Sequence, residues 1–129
     1  MANESLSMSC LREIFSICRL DSTASIPYWV YLSDIYFIGR TPDELSIVCP
    51  SKFVPSSVKA STRWRAIRIQ GPMSLEICGV LAAVVSPLKD ASIPVFTVST
   101  FDTDYVFVQD NVLRKACGVL KENGHHVDH

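Results

Sequence analysis

The stretch WRAIRIQGPMSLEICGVLAAVVSPLKDASIPVFTVSTFDTDYVFV, residues 64–108, decides the fold. Its first seven residues, 64–70, predict a strand that mixes apolar and basic side chains. Pro72 ends this strand, because proline has no backbone N–H to donate to a sheet ladder. Ser74 is a good N-cap, and the apolar residues that follow recur with helical spacing, so we predict a helix over 75–88.

Two runs of β-forming residues, 95–99 and 105–108, predict a hairpin around the polar turn 100–104. An amphipathic helix is then expected over 112–123, and residues 125–129 form a short last strand or a surface tail. The order βαββαβ predicts an α+β, ferredoxin-like domain with two helices on one face of an antiparallel sheet. Its core should include Ile77, Leu81, Val84, Leu88, Phe96, Val98, Val106, Val108, Leu113 and Leu120.

The same stretch resembles an ACT domain in GVLA at 79–82, PL at 87–88 and IPVFTVSTFDTDYVFV at 93–108. It is most similar to small proteins built from two ACT-like halves. ACT domains are regulatory ligand-binding modules, usually for amino acids, and they usually work in pairs. The resemblance therefore implies a non-enzymatic, amino-acid-binding regulator, either a homodimer or a chain whose two halves pair, with a regulated protein partner that the sequence does not name.

The residues before this stretch repeat its pattern in shorter form. After a loose polar leader at 1–8, we expect strands at 11–20, 35–38 and 45–49, a short helix or turn at 27–32, a helical turn within 52–58 and a link at 59–63. Residues 44–48 lie 60 positions before 104–108, and each segment follows a turn and an apolar strand. We predict an N-terminal ACT-like half with reduced helices over 1–62 and a C-terminal ACT domain over 63–129. One larger α+β domain with unrelated halves remains the alternative.

The composition excludes several classes of function. The 129 residues are 48% hydrophobic and carry a formal net charge of −1, so no general attraction to nucleic acid or to an anionic membrane is expected. No apolar run approaches the roughly 18 residues of a membrane-spanning helix, and residues 1–10 lack the apolar core of a signal peptide. We therefore expect a cytoplasmic protein.

The most promising binding groups flank the first predicted helix and the hairpin turn. Free backbone N–H groups at a helix start can hold a carboxylate, and Ser74 stands at such a start. Thr100, Phe101, Asp102 and Asp104 add polar, aromatic and acidic groups. A helix start that binds a carboxylate, next to a carboxylate side chain that binds an ammonium group, suits an amino acid, which carries both charges. Alternatively, Asp102 and Asp104 make hydrogen bonds within the turn.

The ACT resemblance carries ligand contacts onto specific positions. These are Met73, Ser74, Ile77, Thr100, Phe101 and Asp104. The cytosolic arginine sensors are similar in having an acidic group near the position of Ile77, where this chain has isoleucine. That departure leaves the identity of the ligand open.

Other chemistry is weakly supported by the sequence. Three histidines, His125, His126 and His129, are close enough in sequence to bind a metal, but no fourth ligand is apparent, and we predict no metal site, no catalytic residue and no cofactor. Asp102 and Asp104 also form a DxD, a motif too short to be specific. Five scattered cysteines are expected to be buried, reduced thiols. A structural pairing module without a ligand and a cysteine-dependent enzyme stay open as alternatives.

Overall fold

The structure is a computed structural model that describes residues 5–70 and 79–129. The fold is α+β, with strands β1 (Ser7–Leu20), β2 (Phe37–Arg40), β3 (Leu45–Pro50), β4 (Ala60–Ile69), β5 (Phe96–Ser99), β6 (Asp104–Gln109) and β7 (His126–Asp128) and helices α1 (Val80–Asp90) and α2 (Leu113–Glu122). Short 3-10 helices occupy Tyr28–Leu32, Ser51–Phe53 and Asp110–Val112. None of the helices in the described part of the chain has the length and apolarity needed to cross a membrane.

The described chain forms two compact units. The small unit comprises Glu13–Trp64, and the large unit comprises the chain up to Arg12 together with the described residues from Arg65 onward. Strands β1 and β4 contribute residues to both units. The first residues of the chain therefore pack with the C-terminal part, whereas a division into halves at 1–62 and 63–129, and their origin by duplication, stay predictions.

The large unit has the predicted order of elements, β4-α1-β5-β6-α2-β7. Strands β5 and β6 form an antiparallel hairpin, with Phe96 opposite Phe107 and Ser99 opposite Asp104. Alternating apolar residues around a polar turn are typical of such a pair, so the hairpin prediction is confirmed. The final predicted strand is also present, as β7.

One strand of the large unit was not expected from the sequence. Residues Ser7, Met8 and Ser9 of β1 pair in parallel with β7, and the Gln70 amide donates to the Ser7 carbonyl at 2.9 Å. Strand β1 therefore lies between β7 and β4, giving the order β7-β1-β4-β6-β5. The prediction of a loose leader over 1–8 is wrong at Met8, whose side chain is only 1% exposed. The reason is that β1 occupies the position beside β4 that the βαββαβ order alone would give to β7.

Helices α1 and α2 pack on one face of this sheet. The buried core under them contains Met8, Ile67, Ile69, Val84, Leu88, Ile93, Val106, Val108, Ala116, Cys117, Leu120 and Val127. Of the predicted core residues, Leu81 and Leu113 are only partly buried at its margin. Phe96 and Val98 are partly buried and lie on the opposite face of the sheet from Val106, because side chains alternate along a strand.

Helix α1 begins at Val80, with Gly79 as its N-cap. The φ of Gly79 is 81°, a left-handed conformation, so the predicted helix is not continuous through this residue. The predicted start at Leu75 lies outside the described part of the chain, as do residues 75–78. Helix α2 matches its prediction within one residue at each end, since a strong amphipathic pattern defines it.

The small unit has the same β-strand pattern with 3-10 helices in place of α-helices. Its sheet order is β2-β3-β1-β4, and both β3–β1 and β3–β2 are antiparallel. Strand β4 begins at Ala60, within the predicted link 59–63, because the Arg19 amide donates to the Lys59 carbonyl at 3.0 Å and extends the ladder. The buried core residues are Cys18, Trp29, Val30, Leu45, Ile47 and Cys49.

Candidate functional site

The end of β4 is the centre of the predicted binding region. Met73, Ser74 and Ile77, three of the predicted ligand contacts, lie outside the described residues. Two hydrogen bonds fix the residues that precede them: the Gln70 amide donates to the Ser7 carbonyl of β1, and the Ile69 carbonyl accepts a hydrogen bond from the Thr103 hydroxyl. The end of β4 is therefore held by β1 on one side and by the 100–103 turn on the other.

Thr100 and Thr103 close this turn. The Thr100 amide and hydroxyl both donate to the Thr103 carbonyl, at 2.8 and 3.0 Å, and the Thr103 amide donates back to the Thr100 hydroxyl at 3.2 Å. Thr103 is only 5% exposed, and sequence reasoning missed it. The sequence feature that could have indicated this role is a threonine between Asp102 and Asp104, because a threonine hydroxyl can anchor a turn to a neighbouring strand.

The remaining predicted residues of the turn differ in their surroundings. Phe101 is 82% exposed and Asp102 is exposed, so both project from the turn. Asp104 is partly buried at the start of β6, and its carboxylate accepts a hydrogen bond from the Ser99 hydroxyl. The structure thus places Thr100, Phe101, Asp102 and Asp104 together, with Asp104 oriented by a neighbouring side chain.

A cavity of about 320 Å³ lies on the β1 side of Gln70. It is lined by Ser7, Met8, Gln70, Lys121, His125, His126, Val127 and Asp128. Sequence reasoning did not assign Lys121 or Asp128 to any site. They converge because β7 packs beside β1, a pairing between residues more than a hundred positions apart.

The three histidines do not form one cluster. His125 is 5% exposed; its Nδ1 accepts a hydrogen bond from the Leu6 amide at 3.1 Å, and its Nε2 lies 3.3 Å from the Ala83 carbonyl. Both ring nitrogens are thus engaged by backbone, so His125 ties β7 to its neighbours rather than offering a free ligand. His126 and His129 are exposed, and the expected surface tail is instead a paired strand up to Asp128.

Cys10 and Cys117 form a close thiol pair in the large unit. Their Sγ atoms are 3.5 Å apart. Hydrogen bonding from Cys10 lowers the pKa of Cys117 to about 7, and the positive charges of Lys121 and Arg65 act in the same direction against the opposing effect of burial. The same hydrogen bond and burial raise the pKa of Cys10.

A second thiol pair, Cys18 and Cys49, belongs to the core of the small unit. A hydrogen bond from Cys18 lowers the pKa of Cys49, although burial opposes it, while the bond and burial raise the pKa of Cys18. Cys18, Cys49 and Cys117 are buried free thiols, as predicted, whereas Cys10 is partly exposed. Cys78 lies outside the described residues.

The sequence profile of the ACT domain matches residues 59–122, and a second profile, described as an N-terminal domain, matches residues 13–57. Among solved structures, a protein from Agrobacterium tumefaciens is 34% identical, with a TM-score of 0.91, over 97% of this chain and 93% of that chain. The regulatory subunit of aspartate kinase from Thermus thermophilus shares the fold at 10% identity, with a TM-score of 0.65, over 94% of this chain and 99% of that chain.

Among curated proteins, "Cytosolic arginine sensor for mTORC1 subunit 1" from Mus musculus is 27% identical over 101 residues, which is 77% of this chain and 30% of that protein. This chain therefore spans less than a third of that relative's length. The ACT match takes in β4, both helices and the β5–β6 hairpin, the elements that build the predicted binding region. Residues 59–122 of this chain belong to the ACT domain family.

Proposed function

We propose that this chain is a non-enzymatic regulatory protein that binds a free amino acid at the end of β4. The observation that carries the proposal is the hydrogen bond from the buried Thr103 hydroxyl to the Ile69 carbonyl. It fixes the acidic turn beside the strand end from which the predicted carboxylate-binding loop departs. An anion-binding backbone and a carboxylate side chain next to each other suit a zwitterion.

The relatives support the same class of function. The curated relatives are named as cytosolic arginine sensors, which supports a cytoplasmic location and an amino-acid ligand for this chain. Isoleucine at position 77, where those sensors are similar in having an acidic group, leaves arginine as one candidate among several. A regulated protein partner is part of the proposal, and its identity stays open.

In the proposed site, the backbone near Ser74 holds the ligand carboxylate, while Met73 and Ile77 contact the rest of the ligand. Asp104 meets the positive group, because the Ser99 hydroxyl already orients its carboxylate. The exposed Phe101 supplies an apolar contact, and the list of proposed contacts is completed by Thr100 and Asp102.

Asp104→Asn should weaken amino-acid binding by about 10- to 150-fold, the effect of losing a charge-assisted hydrogen bond. A thermal-shift screen of the common amino acids, arginine among them, first identifies the ligand, since a ligand that binds only the folded state raises the melting temperature. Isothermal calorimetry with that ligand then gives the dissociation constants of the parent and the variant.

Asp102→Asn is the matched control, because it removes the same charge from an exposed position two residues away. We expect it to weaken binding by a smaller factor than Asp104→Asn. Equal affinity of Asp104→Asn and the parent would contradict the site. So would a melting temperature that collapses in the ligand-free variant, because Asp104 would then serve only the turn.

We further propose that the protein is a homodimer. Three large side chains of the small unit, Tyr28, Tyr31 and Leu32, are 77%, 55% and 56% exposed and lie on one 3-10 helix. Exposed apolar clusters often mark protein interfaces. Sedimentation velocity at micromolar concentration should show a dimer that Leu32→Lys weakens and that Thr23→Lys, a charge at another exposed position, leaves intact. A monomer at all concentrations would contradict the proposal.

A further inference from the structure

Cys10, Cys117 and His129 converge from three different parts of the large unit. Cys10 belongs to β1, Cys117 to α2, and His129 follows β7. The two Sγ atoms and a ring nitrogen of His129 all lie within 4.8 Å of one another. We propose that these three side chains form a site for a thiophilic divalent cation of the Zn²⁺ type.

The spacing of the ligand atoms supports the site. Zn–S bonds of about 2.3 Å and Zn–N bonds of about 2.0–2.1 Å place the ligand atoms of a tetrahedral site roughly 3.5–3.8 Å apart. The Sγ atoms of Cys10 and Cys117 are already 3.5 Å apart, and a ring nitrogen of His129 lies within 4.8 Å of both. Thiolate and imidazole ligands favour zinc over hard cations such as Mg²⁺. Three protein ligands leave the fourth position open to water.

The exposure of the three residues gives the cation a route. Cys117 is 1% exposed, Cys10 is partly exposed and His129 is exposed, so the cation enters from the side of His129 with the Cys117 sulfur at the base. Binding displaces the thiol protons of Cys10 and Cys117, because both sulfur atoms must bind as thiolates. The released protons pass to solvent.

Lys121 opposes a cation at this place. Its Nζ atom lies 3.1 Å from Nε2 of His129, and it follows Cys117 by one helical turn. Both Lys121 and His129 are exposed, so the ammonium group can swing into solvent when the imidazole binds the cation. Arg65, the other cation near the sulfur atoms, is engaged by the Asp110 carboxylate at 3.2 Å and by the Leu11 carbonyl at 3.0 Å.

The thiol pair of the small unit is an internal comparison. Cys18 and Cys49 are also hydrogen-bonded, but among the described residues no histidine or carboxylate completes a trio around them. A site defined by two sulfur atoms and a nitrogen should therefore occur at Cys10 and not at Cys18.

The test uses the reduced, metal-free full chain titrated with Co²⁺ and then with competing Zn²⁺. One equivalent of Co²⁺ should produce thiolate-to-metal charge-transfer absorption, which Zn²⁺ removes. Cys117→Ser should abolish this absorption, and Cys18→Ser should retain it. His129→Ala should lower the affinity at least tenfold, since even outer-shell partners of metal ligands contribute roughly 10- to 100-fold. His126→Ala is the matched control and should bind like the parent.

Lys121→Met provides a test in the opposite direction. Removing the ammonium group should raise the affinity for Zn²⁺, because a positive charge 3.1 Å from the His129 ring nitrogen repels a divalent cation bound there. Circular dichroism of each variant establishes that it is folded before it is titrated. The proposal is overturned if the parent shows no charge-transfer absorption, or if folded Cys117→Ser or His129→Ala binds as tightly as the parent.

Discussion

Phe107→Ala should lower the free energy of unfolding by about 3–5 kcal/mol, the usual cost of truncating a buried phenylalanine. Phe107 is 0% exposed, and its ring stacks on Phe96 with ring centroids 4.3 Å apart and planes 4° from parallel. The substitution removes this contact together with the buried apolar surface, and it leaves a cavity in a face of the sheet away from the helices. Urea denaturation of the parent and the variant measures the difference.

Phe101→Ala is the matched control for this substitution. It removes the same side chain from a position that is 82% exposed, so the free energy of unfolding should change by no more than about 0.5 kcal/mol. Similar losses for Phe101→Ala and Phe107→Ala would show that the burial of these two side chains is assigned incorrectly.

Leu120→Ala has the second large expected effect and should lower the free energy of unfolding by about 2–5 kcal/mol. Leu120 is 0% exposed, in the core between α2 and the sheet. Its carbonyl also accepts hydrogen bonds from the amides of Asn123 and His125, both at 3.1 Å, so it lies where the helix leads into β7. The variant should retain these backbone bonds and lose only packing, which urea denaturation reports as a lower midpoint.

Leu113→Ala is the comparison within the same helix. Leu113 lies at the margin of the core and is partly buried, so its truncation should cost less than that of Leu120. The reverse order would show that the buried face of α2 is different from the one described. Leu81, predicted as a core residue of α1, is also partly buried, and Leu88 is the fully buried leucine on that helix.

The local pattern of apolar and polar residues was sufficient to predict the class of the fold and several of its strands and helices. The hairpin β5–β6 follows from alternating apolar residues around a polar turn, and α2 follows from apolar residues with helical spacing. These signals are local because a strand repeats every two residues and a helix every 3.6. The N-cap of α1 at Gly79 was not predicted, since a plausible N-cap at Ser74 gives no indication that Gly79 takes a positive φ.

The candidate binding region could be predicted only in part. The turn that contains Asp102 and Asp104 was found from its residue types, but the role of Thr103 depends on a hydrogen bond to Ile69, 34 positions earlier in the chain. The residue types of this segment predict a turn. Which strand the turn packs against depends on the order of the strands in the sheet.

The sequence by itself determined an α+β domain of the ACT type, the order of its strands and helices, and the acidic turn. Only the tertiary structure decided that β1 lies between β4 and β7, and that Cys10, Cys117 and His129 meet. The physical reason is that periodicity specifies which side of a strand or helix is apolar but not which partner covers it. The backbone groups at a strand edge accept any strand of suitable direction, so the pairing of β1 with β7 depends on the fit of the whole core.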